Sequence, residues 1–108
     1  MAKLGNVDNS ATLEVTIDRT SGLPVVRLSG ELDISTVETL AAALKPLMAE
    51  KPEHVCFDLD GLRFMDSSGI AVLIRTAGQA SVSVTQPTAI VRKVLEMTGL
   101  TEILGLEP

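Results

Sequence analysis

Between residues 55 and 74 the hydrophobic pattern changes character, and that change restricts the fold. Val55-Cys56-Phe57-Asp58-Leu59 is a short, nearly continuous apolar run, which reads as a central strand with a parallel neighbour and both faces covered. Ile70-Ala71-Val72-Leu73-Ile74 reads as a largely buried helix that Gly78 ends. Between them stand an apolar loop, Gly61-Leu62-Arg63-Phe64-Met65, and the junction Asp66-Ser67-Ser68-Gly69. A strand that feeds a helix and returns to the same sheet does so by a right-handed crossover.

The flanking segments supply the rest of that sheet. Leu13, Val15 and Ile17 alternate with Glu14, Thr16 and Asp18, the period of a half-buried strand. Arg19-Thr20-Ser21-Gly22 turns the chain into a second strand at Val25-Val26-Arg27-Leu28, completing a hairpin. Ser35 and Glu38 have capping-box spacing, and Val37, Leu40, Ala41, Leu44, Leu47 and Met48 recur at helical spacing. Pro46 removes the hydrogen bond to the Ala42 carbonyl, so a kink or break is expected there, with the helix ending near Glu50. Ser81 to Thr85 alternates as a short strand. Pro87 fits the first turn of a last helix, with Ile90, Val91, Val94 and Leu95 on its buried face and Gly99 at its end. Ile103 to Leu106 is read as a short edge strand. The order is ββαβαβα(β), an α/β fold with a mixed, mainly parallel sheet and helices packed against it. Residues 1–11 are read as a flexible tail and 12–108 as one domain.

Composition narrows the function. A net charge of −5 and the absence of Trp and Tyr oppose binding to a phosphate backbone or stacking on bases. No apolar run approaches the ~20 residues of a membrane span, and the N-terminus lacks the core of a secretion signal. A cytoplasmic protein is expected. The one cysteine, Cys56, is read as a small core residue, and the one histidine, His54, as a solvated loop residue. Asp58 and Asp60 are the nearest approach to an acidic cluster, with too few companions for a divalent ion, so neither metal nor cofactor is assigned.

The junction carries the chemistry. A helix start offers unpaired N–H groups and the positive end of a dipole. Ser67 and Ser68 suit helix capping. A nucleophilic serine needs a base within reach, and His54 is expected at the other end of the strand. A phosphate on Ser67 would gain from the dipole while facing Asp66, Asp58 and Asp60.

Leu59-Asp60-Gly61-Leu62-Arg63-Phe64-Met65-Asp66-Ser67-Ser68-Gly69-Ile70 resembles the signature of the STAS domain of bacterial anti-sigma-factor antagonists. Leu28-Ser29-Gly30-Glu31-Leu32-Asp33 and Val94-Leu95-Glu96-Met97-Thr98-Gly99-Leu100 continue the likeness, in family order. The resemblance implies a partner switch rather than an enzyme. An antagonist with a free serine binds an anti-sigma factor that is also a serine kinase, and the sigma factor is released. Phosphorylation breaks the complex, and a metal-dependent serine/threonine phosphatase resets it. Carried onto this chain, the phosphoacceptor is Ser67. Asp66, Ser68, Gly69 and Ile70 shape the docking surface, and Asp33, Ile34 and Ser35 extend it. The alternative reading is a STAS module that senses a small ligand, nucleotide or anion at the same helix start. Relative to the family, the stretch between Gly69 and Pro87 is shortened, the N-terminal tail is long and the chain stops soon after Leu106. A trimmed sheet leaves an edge open, so self-association is a second expectation.

Overall fold

Seven elements follow one another in the computed structural model, which describes residues 12–99. They are β1 (Leu13–Asp18), β2 (Val25–Leu32), α1 (Val37–Ala49), β3 (His54–Met65), α2 (Ser67–Ala77), β4 (Ser81–Thr85) and α3 (Ala89–Met97). The tail at 1–11 and the strand read at 103–106 lie outside the described residues. The sheet order is β1-β2-β3-β4. β1 pairs antiparallel with β2, whereas β2–β3 and β3–β4 are parallel. The mixed, mainly parallel sheet and the strand–helix alternation match the reading of the sequence.

The core lies on one face of that sheet. Val26 and Leu28 of β2, Val55, Phe57 and Leu59 of β3, and Val82 and Val84 of β4 form one cluster with Leu40, Leu44 and Leu47 of α1, Leu73 of α2, and Val91 and Leu95 of α3. The opposite face carries Arg27, Asp58, Ser83 and Thr85, and no described helix covers it. The expectation of a strand covered on both faces is therefore corrected. Within β3 only Val55, Phe57 and Leu59 of that run are buried, and the residues between them alternate outward. Cys56 is consequently half-buried on the open face, its Sγ 3.9 Å from Thr85 Oγ1, and is not a core residue. His54 is not in a loop either. It begins β3, with Nε2 2.9 Å from Ser83 Oγ.

β3 is twelve residues long and includes the segment read as an apolar loop. Its register against β2 shifts twice, between Arg27 and Ser29 and between Gly30 and Glu31, so β3 holds two more residues than the stretch of β2 beside it. Each bulge inserts one residue and turns the strand. Buried positions therefore fall at Leu59, Leu62 and Met65 rather than at every second residue. The result is that Met65 ends beside Leu32, with the junction level with the end of β2.

The helix starts differ from the sequence reading in instructive ways. Ser35 does not cap α1; Thr36 holds that position, without a side-chain cap bond. Asp33 instead closes a turn, its Oδ1 accepting from the Ser35 N–H at 2.9 Å and the Ser35 hydroxyl at 2.7 Å. An Asp carboxylate two residues ahead offers the Ser hydroxyl a local acceptor that competes with the capping box. α1 runs unbroken through Pro46 to Ala49, with Glu50 as its C-cap. Ala42 and Pro46 are both exposed, so water can serve the carbonyl that loses its donor. In α2, Ala71 and Ile74 are exposed, and Ile70, Val72 and Leu73 supply the buried side. In α3, Thr88 is the N-cap and Pro87 stands just ahead of it. Ile90 points outward, leaving Val91 and Leu95 as the buried pair and Val94 half-buried.

Candidate functional site

Asp66 organises the junction with all of its polar atoms. Its N–H donates to the Leu32 carbonyl at 3.1 Å, tying the end of β3 to the end of β2. Its carbonyl accepts from the N–H groups of Gly69 and Ile70 at 3.1 and 3.2 Å, which opens α2. Oδ1 accepts from the Ser68 N–H at 2.9 Å and from the Ser68 hydroxyl. Oδ2 accepts from the Ile34 N–H at 3.2 Å, across to the β2–α1 turn. The N-cap of α2 is thus Asp66 and not either serine. Two parallel strands ending side by side bring the two loops together at their carboxyl ends, where open α/β sheets gather their binding residues.

The two serines have different roles in this geometry. Ser68 is half-buried and its hydroxyl is committed to the cap carboxylate. Ser67 is exposed at the first position of α2, and its hydroxyl has no protein partner among the described residues. Gly69 and Ile70 face inward. A Cβ on Gly69 would lie 2.7 Å from Leu32 Cγ and Cδ2, so the glycine lets α2 sit directly on β2. Asp33 and Ser35 form the neighbouring turn, and Ile34 between them is 75% exposed. The structure brings these residues together at one end of the sheet, with Gly69 and Ile70 buried beneath the exposed Ile34, Ser35 and Ser67.

Other contributors were missed. Thr36 is buried, donates to the Glu31 carbonyl at 2.8 Å and accepts from the Asp33 N–H at 3.0 Å, fixing the turn that displays Ile34. A threonine beside the expected Ser35 cap was the available signal. Ala71 and Ile74 continue the exposed side of α2 below Ser67, at helical spacing. Asp58 and Asp60, read as neighbours of Ser67, are not: Asp58 pairs with Arg27 in mid-sheet, roughly 20 Å back along the strand. The nearby carboxylates are Asp66 and Asp33. His54 and Ser67 are separated by the whole of β3, which keeps an imidazole away from the hydroxyl.

Both nearby carboxylates are held below their ordinary pKa. For Asp66 the Ser68 hydroxyl contributes most, followed by the backbone N–H groups of Ser68, Gly69 and Ile34, against partial burial. For Asp33 the Ser35 hydroxyl leads, with the Ser35 and Thr36 backbone helping and the Asp66 charge opposing. Both are ionised at neutral pH. A depressed folded pKa contributes stability above the unfolded value near 4 and loses it as pH falls through the folded value. Asp66→Ala should therefore cost about 1–2 kcal/mol near pH 7, and the gap from the parent should narrow below pH 4. Urea denaturation at several pH values measures this; a gap that widens in acid contradicts the capping role.

The fold and junction define a class: a small α/β domain whose strand–helix loops converge at one end of a mixed sheet. The chain belongs to the STAS-domain family, whose model, described as "Mlab, STAS domain", matches residues 15–106. It is 31% identical over 102 residues to an anti-sigma F factor antagonist of Paenibacillus polymyxa, covering 87% of this chain and 86% of that protein. It is 29% identical over 73 residues to the anti-sigma-F factor antagonist RsfB of Mycobacterium tuberculosis, covering 68% of this chain and 60% of that protein. Among solved structures, an anti-sigma factor antagonist from Mycobacterium paratuberculosis superposes with a TM-score of 0.76 at 26% identity, over 89% of this chain and 86% of that one. The unphosphorylated form of the anti-sigma factor antagonist SpoIIAA gives a TM-score of 0.66 at 25% identity, over 82% and 84%.

Proposed function

We propose that this chain is an anti-sigma-factor antagonist governed by phosphorylation of Ser67. Unmodified, it binds an anti-sigma factor that is also a serine kinase, and so frees a sigma factor. The phosphorylated form releases that partner, and a serine/threonine phosphatase restores the starting state. The observation that carries this reading is the division of labour between the serines. Ser68 is held by Asp66, whereas the Ser67 hydroxyl stands exposed at a helix N-terminus and is open to a kinase.

The docking surface in this proposal joins Ile34 and Ser35 to the exposed side of α2, from Ser67 through Ala71 to Ile74. Asp33, Thr36 and Asp66 hold those two loops in register, and Gly69 and Ile70 seat α2 on the core. Ile34 and Ile74 supply apolar contact, being 75% and 45% exposed. A phosphate added here meets two ionised carboxylates and must be desolvated by any partner covering it. Charge is the switch.

Incubation with ATP and the kinase-type anti-sigma factor of the same cell, followed by intact-mass measurement and peptide mapping, tests the proposal. A single added phosphate on Ser67 is the expected result. Phosphate on Ser68, or none, overturns the assignment.

A further inference from the structure

Arg19, Arg27, Arg63 and Arg92 each hold a carboxylate within 4.0 Å. Among the described residues four cations lack such a partner, and three of them, Lys45, Lys51 and Arg75, line one groove between α1 and α2. The groove consists of two adjoining cavities of about 230 and 370 Å³ that share Met48 and Gln79. Its floor is apolar, formed by Leu44 and Val72, which are buried, and by Met48. In size it falls within the range of small-molecule sites, about 300–1,000 Å³.

The charge arrangement runs against the rest of the chain, whose net charge is −5. Arg75 stands in the last turn of α2, where a cation complements the helix dipole. That does not account for Lys45 and Lys51, which come from α1 and the turn after it. Glu50, beside Lys51 in sequence, is already held by both terminal nitrogens of Arg19, at 2.6 and 3.0 Å. The Thr76 hydroxyl is likewise spent on the Val72 carbonyl, at 2.9 Å. An apolar floor under a rim of unpaired cations complements a molecule with an alkyl chain and an anionic head.

We propose that this groove binds a free fatty acid, its chain along Leu44, Met48 and Val72 and its carboxylate between Lys45 and Arg75. The site is separate from the junction, because Arg75 lies eight residues beyond Ser67, about 12 Å along α2. It stands whether or not Ser67 is a phosphoacceptor.

The test is a titration of the full chain, followed by amide nitrogen–proton NMR, with decanoate kept below its micelle concentration. Octanoate, decanol and acetate are parallel arms. Saturable shifts are expected at residues 41–51 and 72–79. Decanoate should bind at least fourfold tighter than octanoate, since each methylene fully withdrawn from water is worth about fourfold. Decanol should bind at least fivefold more weakly, and the Lys45→Glu, Arg75→Glu pair should lose at least tenfold while keeping a folded spectrum. Should charge reversal unfold the domain, the milder Lys45→Gln, Arg75→Gln pair serves the same purpose. No saturation, equal binding of acetate or decanol, or unchanged affinity in the variants overturns the proposal. Shifts at these amides with a glutamate-rich amphipathic peptide but not with decanoate overturn it in favour of a protein segment.

Discussion

Ser67→Asp is expected to weaken binding to the anti-sigma factor by at least thirtyfold, whereas Ser67→Asn should stay within about threefold. The two side chains have nearly the same size, so their difference isolates charge. In the proposed complex Ser67 lies beside Ile34 and the α2 stripe, and a carboxylate there loses its water. Asp66 and Asp33 are already ionised close by and give it no counter-charge. An unpaired charge left in a desolvated interface costs about 2–5 kcal/mol, or roughly thirtyfold to several thousandfold. The favourable helix dipole offsets only about 0.3–1 kcal/mol of that. The unpaired charge therefore outweighs the dipole. Titration calorimetry with the purified partner at two salt concentrations measures both variants. Desolvation predicts a loss that persists at high salt, because only exposed charges are well screened. If Asp binds as well as Ser, Ser67 is not at the interface. If Asn fails as badly as Asp, shape rather than charge governs the contact.

The sequence made the regular elements readable and the irregular ones misleading. β1 and β4 follow clean alternation and α1 buries Leu40, Leu44 and Leu47 at helical spacing, although Ala41, read on the same face, is exposed. β3 misled twice. Five nearly apolar residues looked like a strand buried on both sides, because Cys56 counts as apolar although it faces outward. Its second half looked like a loop because two bulges change the spacing of buried residues from two to three. A bulge is a property of a pair of strands, so no local pattern announces it. The site shows the same division. Ser and Gly at a strand–helix boundary marked the start of α2, but residue type alone put the cap on Ser67 or Ser68, whereas Asp66 holds it. The bond from Ile34 to Asp66 spans 32 residues and exists only because β2 and β3 end together. Thr36 was passed over because Ser35 and Glu38 satisfied a local rule, whereas the tertiary turn used Asp33 instead.

Gly30→Ala should destabilise the domain by about 3 kcal/mol or more, lowering the melting temperature by more than about 12 °C. Two independent costs combine at this position. Gly30 has φ +110, outside the range that L-residues adopt readily, and a Cβ there would lie 2.2 Å from the Thr12 carbonyl oxygen. That oxygen is backbone and is fixed by the Glu31 N–H at 2.9 Å, so relief requires β1 to move off β2. Gly22 supplies the control. It has φ +86 with nothing within 4 Å of an added Cβ, so Gly22→Ala carries the dihedral cost alone, about 1–2 kcal/mol. Gly69→Ala provides the opposite contrast, since its Cβ meets the Leu32 and Met65 side chains and a gain in helix propensity of up to about 1 kcal/mol opposes the crowding. Thermal and urea unfolding of the three variants should therefore rank Gly30 as the most costly. Equal losses for Gly30→Ala and Gly22→Ala would mean that the contact with Thr12 relaxes freely. A clear excess for Gly30 would show that β1 is clamped onto β2 just ahead of Leu32 and Asp33. The turn that presents Ile34 would then depend on a backbone contact at the far edge of the hairpin, with no side chain in between.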